Sequence, residues 1–226
     1  MKSKSTVKES TPSLWLRRIE AQLENFAPPV REFEADIRRD PFRILVSVLI
    51  SSRTRDEVTL AASRRLFAAA ATPERMRVLG VGRIEELIFP VGFYRQKARQ
   101  IVRLCERLET AGGIPDTYPG LVSLPGVGRK TANLVLSLAF NRPAIAVDTH
   151  VFRISRRLGW AEGLTAESVE EELRGRFPRE DWSRLNQVLV GFGQVICTPR
   201  NPSCRICTLT NDCPHAARTR RNGPGG

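Results

Sequence analysis

Apolar residues recur at helical spacing along most of the chain. Leu14, Ile19 and Leu23 mark a first helix that begins near Pro12 and ends before Pro28 and Pro29. After Pro41, the residues Phe42, Leu45, Val46, Leu49 and Ile50 repeat the pattern. The polar stretch Ser51 to Glu57 interrupts it. Thr54 or Asp56 is a candidate cap for the next helix, with Leu60, Leu66 and Phe67 on its buried face. Pro73 opens a short helix, and Ile84, Leu87 and Ile88 mark another. Phe93 to Leu108 reads as a long amphipathic helix ended by Gly112 and Gly113. Further on, Asp148 suits the cap of a helix from Thr149 to Leu158. Thr165 opens one that contains Val169 and Leu173, and Trp182 to Ile196 gives the last. The only strand-like run, Ala144 to Val147, is short. The pattern predicts an all-α protein of about ten helices joined by short loops.

Composition adds a partner class. The chain has 226 residues and a formal charge of +12. Residues 1–10 contribute +2 and residues 214–226 contribute +3, which leaves +7 on the body. A basic folded surface suits a polyanion. The longest apolar run, Leu134 to Phe140, is far short of the roughly 20 residues of a membrane span, so no membrane partner is expected. Residues 1–10 carry charge with no apolar signal region after them, which points to an intracellular protein. In that compartment five cysteines argue for metal or chemistry over disulfides. Cys105, alone in an apolar helical stretch, reads as a small core residue.

The other four cysteines are grouped. Cys197, Cys204, Cys207 and Cys213 follow the spacing C-x6-C-x2-C-x5-C. Pro199, Pro202 and Asn211 favour turns between them. A zinc site would usually show two short C-x2-C knuckles, and only Cys204 and Cys207 form one. Wider, uneven loops favour a four-iron, four-sulfur cube. Arg200 and Arg205 sit on the loops between these cysteines, where a fixed loop would present them to phosphates.

Residues 124–134 read LPGVGRKTANL. The glycine turn ahead of a helix exposes backbone N–H groups and makes an anion nest for one or two phosphates. A nucleotide-binding loop of the G-x-x-x-x-G-K type is excluded, because Arg129 separates Gly128 from Lys130 and no strand precedes the turn. A helix start is an unfavourable place for an ammonium group, the more so beside Arg129, and a neutral amine there is a nucleophile able to form a Schiff base. Asp148, 18 residues on, would supply a carboxylate at the next helix start.

LPGVGRKTANLVL, then AVDTH, then the four-cysteine pattern resemble the endonuclease III family of DNA glycosylases, over roughly Leu14 to Cys213. The resemblance implies a two-lobed helix–hairpin–helix fold. A six-helix lobe would span 32–142. The second lobe would combine 13–31 with 143–215 and hold a [4Fe–4S] cluster, with flexible basic tails at 1–12 and 216–226. It also implies a monomeric base excision repair enzyme acting on double-stranded DNA with a damaged or abasic nucleotide. Such an enzyme removes oxidised pyrimidines and cuts the abasic strand by β-elimination. Lys130 and Asp148 match the catalytic pair, and His150 a histidine near the site. Gly126, Gly128 and Arg129 belong to the DNA-holding hairpin. Arg53 stands where the family commonly has a gap-filling glutamine. Phe93 takes a second wedge position, usually aliphatic, with Tyr94 beside it. The alternatives are a mismatch or other-lesion glycosylase of the same superfamily, or an iron–sulfur DNA-binding protein without catalysis.

Overall fold

The structure, a computed structural model, describes residues 11–37 and 40–221. Among them there are twelve α-helices and no strand. Backbone contacts divide the chain into two compact units. One is continuous, Pro29–Ala146; the other joins the residues up to Pro28 to those from Val147 onward.

The continuous unit is built around α3 (Pro41–Ser51). Its sequence PFRILVSVLIS is apolar nearly all round, so it has to be covered on every side. Asp40 starts it: one carboxylate oxygen accepts from the N–H groups of Phe42 and Arg43 at 2.8 and 3.1 Å, with Pro41 at the first helical position. Ile44, Leu45, Val46 and Ile50 are fully buried, each contributing about 1.5–3 kcal/mol of transfer energy. The helices α4 (Asp56–Ala69), α6 (Tyr94–Ala111) and α8 (Arg129–Phe140) pack against it. α2 (Pro29–Ile37) lies on α4, and α5 (Pro73–Ile88) lies along both α4 and α6. The two helical signals expected between Pro73 and Ile88 are two helical stretches joined by a kink at Gly80, whose φ is 71°. Neither Thr54 nor Asp56 caps α4. Its cap position is Arg55, which makes no side-chain cap bond, and the Thr54 hydroxyl accepts from Gly92 N–H in another turn instead. Short α7 (Tyr118–Val122) leads through residues 123–128 into α8.

The run Ala144 to Val147 is buried but pairs with no strand. Asn133, buried on α8, donates from its side-chain amide to the Ile145 carbonyl at 2.8 Å and so replaces a ladder bond.

In the other unit, Leu16, Ile19 and Leu23 of α1 (Thr11–Leu23) are buried, and α1 packs on α11 (Trp182–Val195). Leu14, expected on that face, is 47 % exposed; Leu16 takes its place. Trp160 stacks edge-on to Phe177 at 4.9 Å and lies 6.4 Å from Trp15. Both α1 and α9 (Thr149–Arg157) lie on α11, and α10 (Ala166–Arg176) packs on α9. Gly193 permits the α9–α11 approach, because a Cβ there would stand 2.4 Å from His150 Nδ1 and 2.8 Å from the Arg153 guanidinium.

The expected flexible tail from residue 216 is corrected. Pro214–Arg221 form α12, with Pro214 first and Ala216 buried at 3 % exposure. The Arg, Gly and Pro content of 214–226 suggested a tail, but Pro214 suits a helix start and Ala216 is buried. Residues 1–10 and 222–226, the rest of the expected tails, lie outside the described residues. No described helix is long and apolar enough to cross a membrane.

Candidate functional site

The hairpin at 123–128 is shaped by glycine. Gly126 has φ 79°, and a Cβ there would press on Leu49 and Gln100 at 3.3 Å. Gly128 is the N-cap of α8, extended and without a side-chain cap bond. The first N–H groups of α8 therefore have no intrahelical acceptor and face outward with the positive end of the helix. Arg129 is exposed, and Lys130 is half-buried one residue into the helix.

Two other turns reach the same region of this unit. Arg53 (φ 52°) and Phe93 (φ 57°) both hold a left-handed backbone, which is uncommon for residues with a Cβ. Their side chains meet, with the guanidinium carbon 5.5 Å from the ring centroid. Phe93 is 58 % exposed although it is a large apolar ring. Arg53, Phe93, Lys97, Gln100, Gly126 and Thr131 line one cavity of about 300 Å³ that opens to solvent. Tyr94 does not line it. Its ring packs edge-on against the exposed Phe89 at 5.4 Å.

Asp148 belongs to the other unit and caps α9. Its Oδ1 accepts from the N–H groups of His150 at 2.9 Å and Val151 at 2.8 Å. Among the described residues Oδ2 accepts no hydrogen bond, so one oxygen holds the helix and the other is available for chemistry. The His150 ring lies beside the Arg153 guanidinium, 3.3 Å from Nδ1.

Cys197, Cys204, Cys207 and Cys213 line a single cavity. Its other walls are largely apolar, from Leu158, Phe192, Ile196 and Ala216 among others, and include no carboxylate. Among the described residues, no group of three or more His, Cys, Asp or Glu side chains is arranged to hold a single metal ion. A cube of four irons carries each thiolate on a separate iron, so its ligands stand farther apart than those of one ion. Four thiols around one largely apolar cavity, with no carboxylate among its walls, are a donor set able to hold a metal centre. Burial, with smaller contributions from the three neighbouring cysteines, pushes the Cys207 thiol up to about 11. N–H donors already point at sulfur: Leu209 N–H to Cys207 Sγ at 3.4 Å and Arg157 to Cys197 Sγ at 3.3 Å. Arg200 and Arg205 are exposed on the intervening loops.

Residues that sequence reading passed over hold this segment. Arg157 donates to the carbonyls of Thr198 and Pro199, both at 2.7 Å, and Arg153, one turn earlier on α9, donates to Cys197 O at 3.0 Å. From α1, Gln22 accepts from Thr208 N–H at 3.0 Å and donates to Ile206 O, while Arg18 pairs with Asp212 at 2.9 Å and donates to Thr208 O. Only the i, i+4 spacing of the two α9 arginines was visible as a signal. Cys105 is fully buried and its thiol is pushed up to about 12, by burial and then by Glu109 nearby, as an inert core residue should be.

The chain and its fold have counterparts among known proteins. Residues 46–179 match the model of the HhH-GPD superfamily base excision DNA repair proteins. The chain is 47 % identical over 188 residues to the endonuclease III of Thermotoga maritima, covering 82 % of this chain and 87 % of that one. With the endonuclease III-like protein 1 of Gallus gallus it shares 37 % identity over 223 residues, 92 % of this chain and 79 % of that one. Among solved structures, a trapped endonuclease III–DNA covalent intermediate in an estranged-adenine complex aligns with a TM-score of 0.82 at 33 % identity, covering 98 % of this chain and all of that one. A thermostable thymine-DNA glycosylase shares the fold, with a TM-score of 0.79 at 24 % identity over 91 % of this chain and 96 % of that one. With its glycine hairpin, its helix-capping aspartate and its four-cysteine cavity, the chain belongs to the endonuclease III family of the helix–hairpin–helix base excision DNA repair proteins.

Proposed function

We propose that the protein removes oxidised pyrimidines such as thymine glycol from duplex DNA inside the cell and then cuts the abasic strand, with Lys130 as nucleophile and Asp148 as the assisting carboxylate. Membership of a glycosylase and abasic-site lyase family supports the reaction class. The observation that carries the residue assignment is the position of Lys130, one residue into α8 directly behind the Gly126–Gly128 turn. N–H groups that bind a backbone phosphate there bring the sugar next to the amine.

The damaged nucleotide is flipped out of the stack, at a cost of a few kcal/mol that is least for a damaged base. Arg53 and Phe93 enter the gap. Lys130 Nζ forms a bond to C1′ as the C1′–N bond breaks, and the base leaves with its electron pair and gains a proton. Asp148 Oδ2 stabilises the positive charge that builds on the sugar. The sugar opens to an imine on Lys130, which acidifies C2′–H. Loss of that proton expels the 3′ phosphate, and water then frees the lysine. Cys197, Cys204, Cys207 and Cys213 would hold a [4Fe–4S] cluster, which on this reading fixes the loops of Arg200 and Arg205 against phosphates.

Borohydride added during turnover on a thymine-glycol duplex should reduce the imine and leave a covalent protein–DNA adduct. A protein that excises the base and yields no adduct would refute the lysine chemistry. The purified protein should contain about four irons and four acid-labile sulfides per chain, the stoichiometry of the cube. Stoichiometric zinc without iron would overturn the cofactor reading.

A further inference from the structure

The core-facing stripe of α6 reads Lys97, Ala98, Ile101, Leu104, Cys105 and Leu108, one cation among apolar neighbours. Lys97 is 5 % exposed and has no carboxylate partner among the described residues. Burial lowers its pKa to about 8. What holds the amine is a set of three oxygens. Nζ donates to Ile50 O at 2.8 Å, Ser52 O at 2.6 Å and Thr54 Oγ1 at 3.3 Å, which uses all three protons of an ammonium.

These acceptors share one location. Ile50 and Ser52 end α3, and Thr54 follows Arg53 in the same turn. The Thr54 hydroxyl also accepts from Gly92 N–H at 3.1 Å, in the turn that carries Phe93. The two turns touch at the backbone, since a Cβ on Gly92 would stand 2.6 Å from Arg53 O. Each turn displays a non-glycine residue with a left-handed backbone. Such conformations persist only where their surroundings over-determine them. Lys97, Thr54 and Gly92 supply that determination from beneath, while the Arg53 and Phe93 side chains meet above.

We propose that Lys97 is a positioning residue that joins the Arg53 turn and the Phe93 turn into one preformed wedge, which enters the duplex without a separate ordering step. This rests on the reading above that Arg53 and Phe93 enter DNA. The amine touches no DNA and acts only through the two turns. A lysine retained only to fill the core would affect stability and leave the choice between duplex and single strand untouched.

The test compares two substrates under single-turnover conditions: a thymine-glycol duplex, which has to be opened, and a single-stranded abasic oligonucleotide, which does not. Lys97→Met keeps the apolar stem and removes the donors. It should slow excision from the duplex by ~10–100-fold, the cost of an ångström-scale misplacement, and leave borohydride trapping on the single strand within about two-fold. Lys97→Arg, which keeps donors, should recover part of the duplex rate. Gly92→Ala disturbs the same contact without touching the amine and should show the same split, so it carries the test if Lys97→Met does not fold. Equal losses on both substrates, or no loss on either from folded protein, would overturn the proposal. Arg53→Ala with Phe93→Ala separates the two readings. If that pair leaves the duplex-to-single-strand ratio unchanged, the wedge reading itself fails. If the pair shifts the ratio and Lys97→Met and Gly92→Ala do not, only the positioning role fails.

Discussion

Lys130→Ala should leave no borohydride-trapped adduct and slow strand cleavage at an abasic site by on the order of 10⁴-fold or more, as expected when a covalent nucleophile is deleted. The fold should not suffer with it. Lys130 sits in the first turn of α8, where the helix presents its positive end, and no acidic residue lies in that turn to offset it. Removing a cation from that end should raise stability by about 0.3–1 kcal/mol. Activity and stability therefore move in opposite directions, which a misfolded variant cannot reproduce. Thermal unfolding beside the trapping assay checks both. An adduct that survives in Lys130→Ala would move the nucleophile to another residue.

The second large effect separates two jobs of one side chain. Asp148 caps α9 through Oδ1 and leaves Oδ2 without a bond among the described residues. Asparagine is as good an N-cap as aspartate. Asp148→Asn should thus keep α9 and unfold near the wild-type temperature, while excision falls by ~10²–10³-fold through loss of the charge at Oδ2. Asp148→Ala should lose the cap as well, at a cost of about 0.5–2 kcal/mol. Binding to an uncleavable abasic-site analogue, measured for both variants, tells a lost chemical role from a lost docking surface. If Asp148→Asn excises at the wild-type rate, the carboxylate is a cap and nothing more.

How far the chain could be read in advance depended on the range of the interactions. α3 and α6 were legible because their patterns are local: a proline precedes the apolar run of one, and a glycine pair ends the other. The hairpin and the four cysteines were legible for the same reason, as each is a compact motif. Thr54 was misread because cap rules weigh the nearest helix, whereas its hydroxyl serves Gly92, 38 residues away. Lys97 gave no signal of its own within the amphipathic helix, because nothing local shows that the Ile50 and Ser52 carbonyls lie above it. Gln22 and Arg18 gave no sign of reaching a cysteine segment more than 180 residues distant. Ala144 to Val147 looked like a strand because burial and β-branching are shared by any covered extended segment. The Asn133 side chain, on a helix, bonds to its Ile145 carbonyl instead.

The packing of α1 on α11 has a consequence for synthesis. The apolar face of α1, Leu16, Ile19 and Leu23, finds its cover on a helix that begins at Trp182, about 160 residues later. At ~5–20 residues per second, a ribosome needs roughly 8–30 s to reach it. Meanwhile the continuous unit from Pro29 to Ala146 is complete and contains its own core. The nascent chain thus carries a finished unit and an uncovered amphipathic helix at once, and that helix is where a holding chaperone would bind.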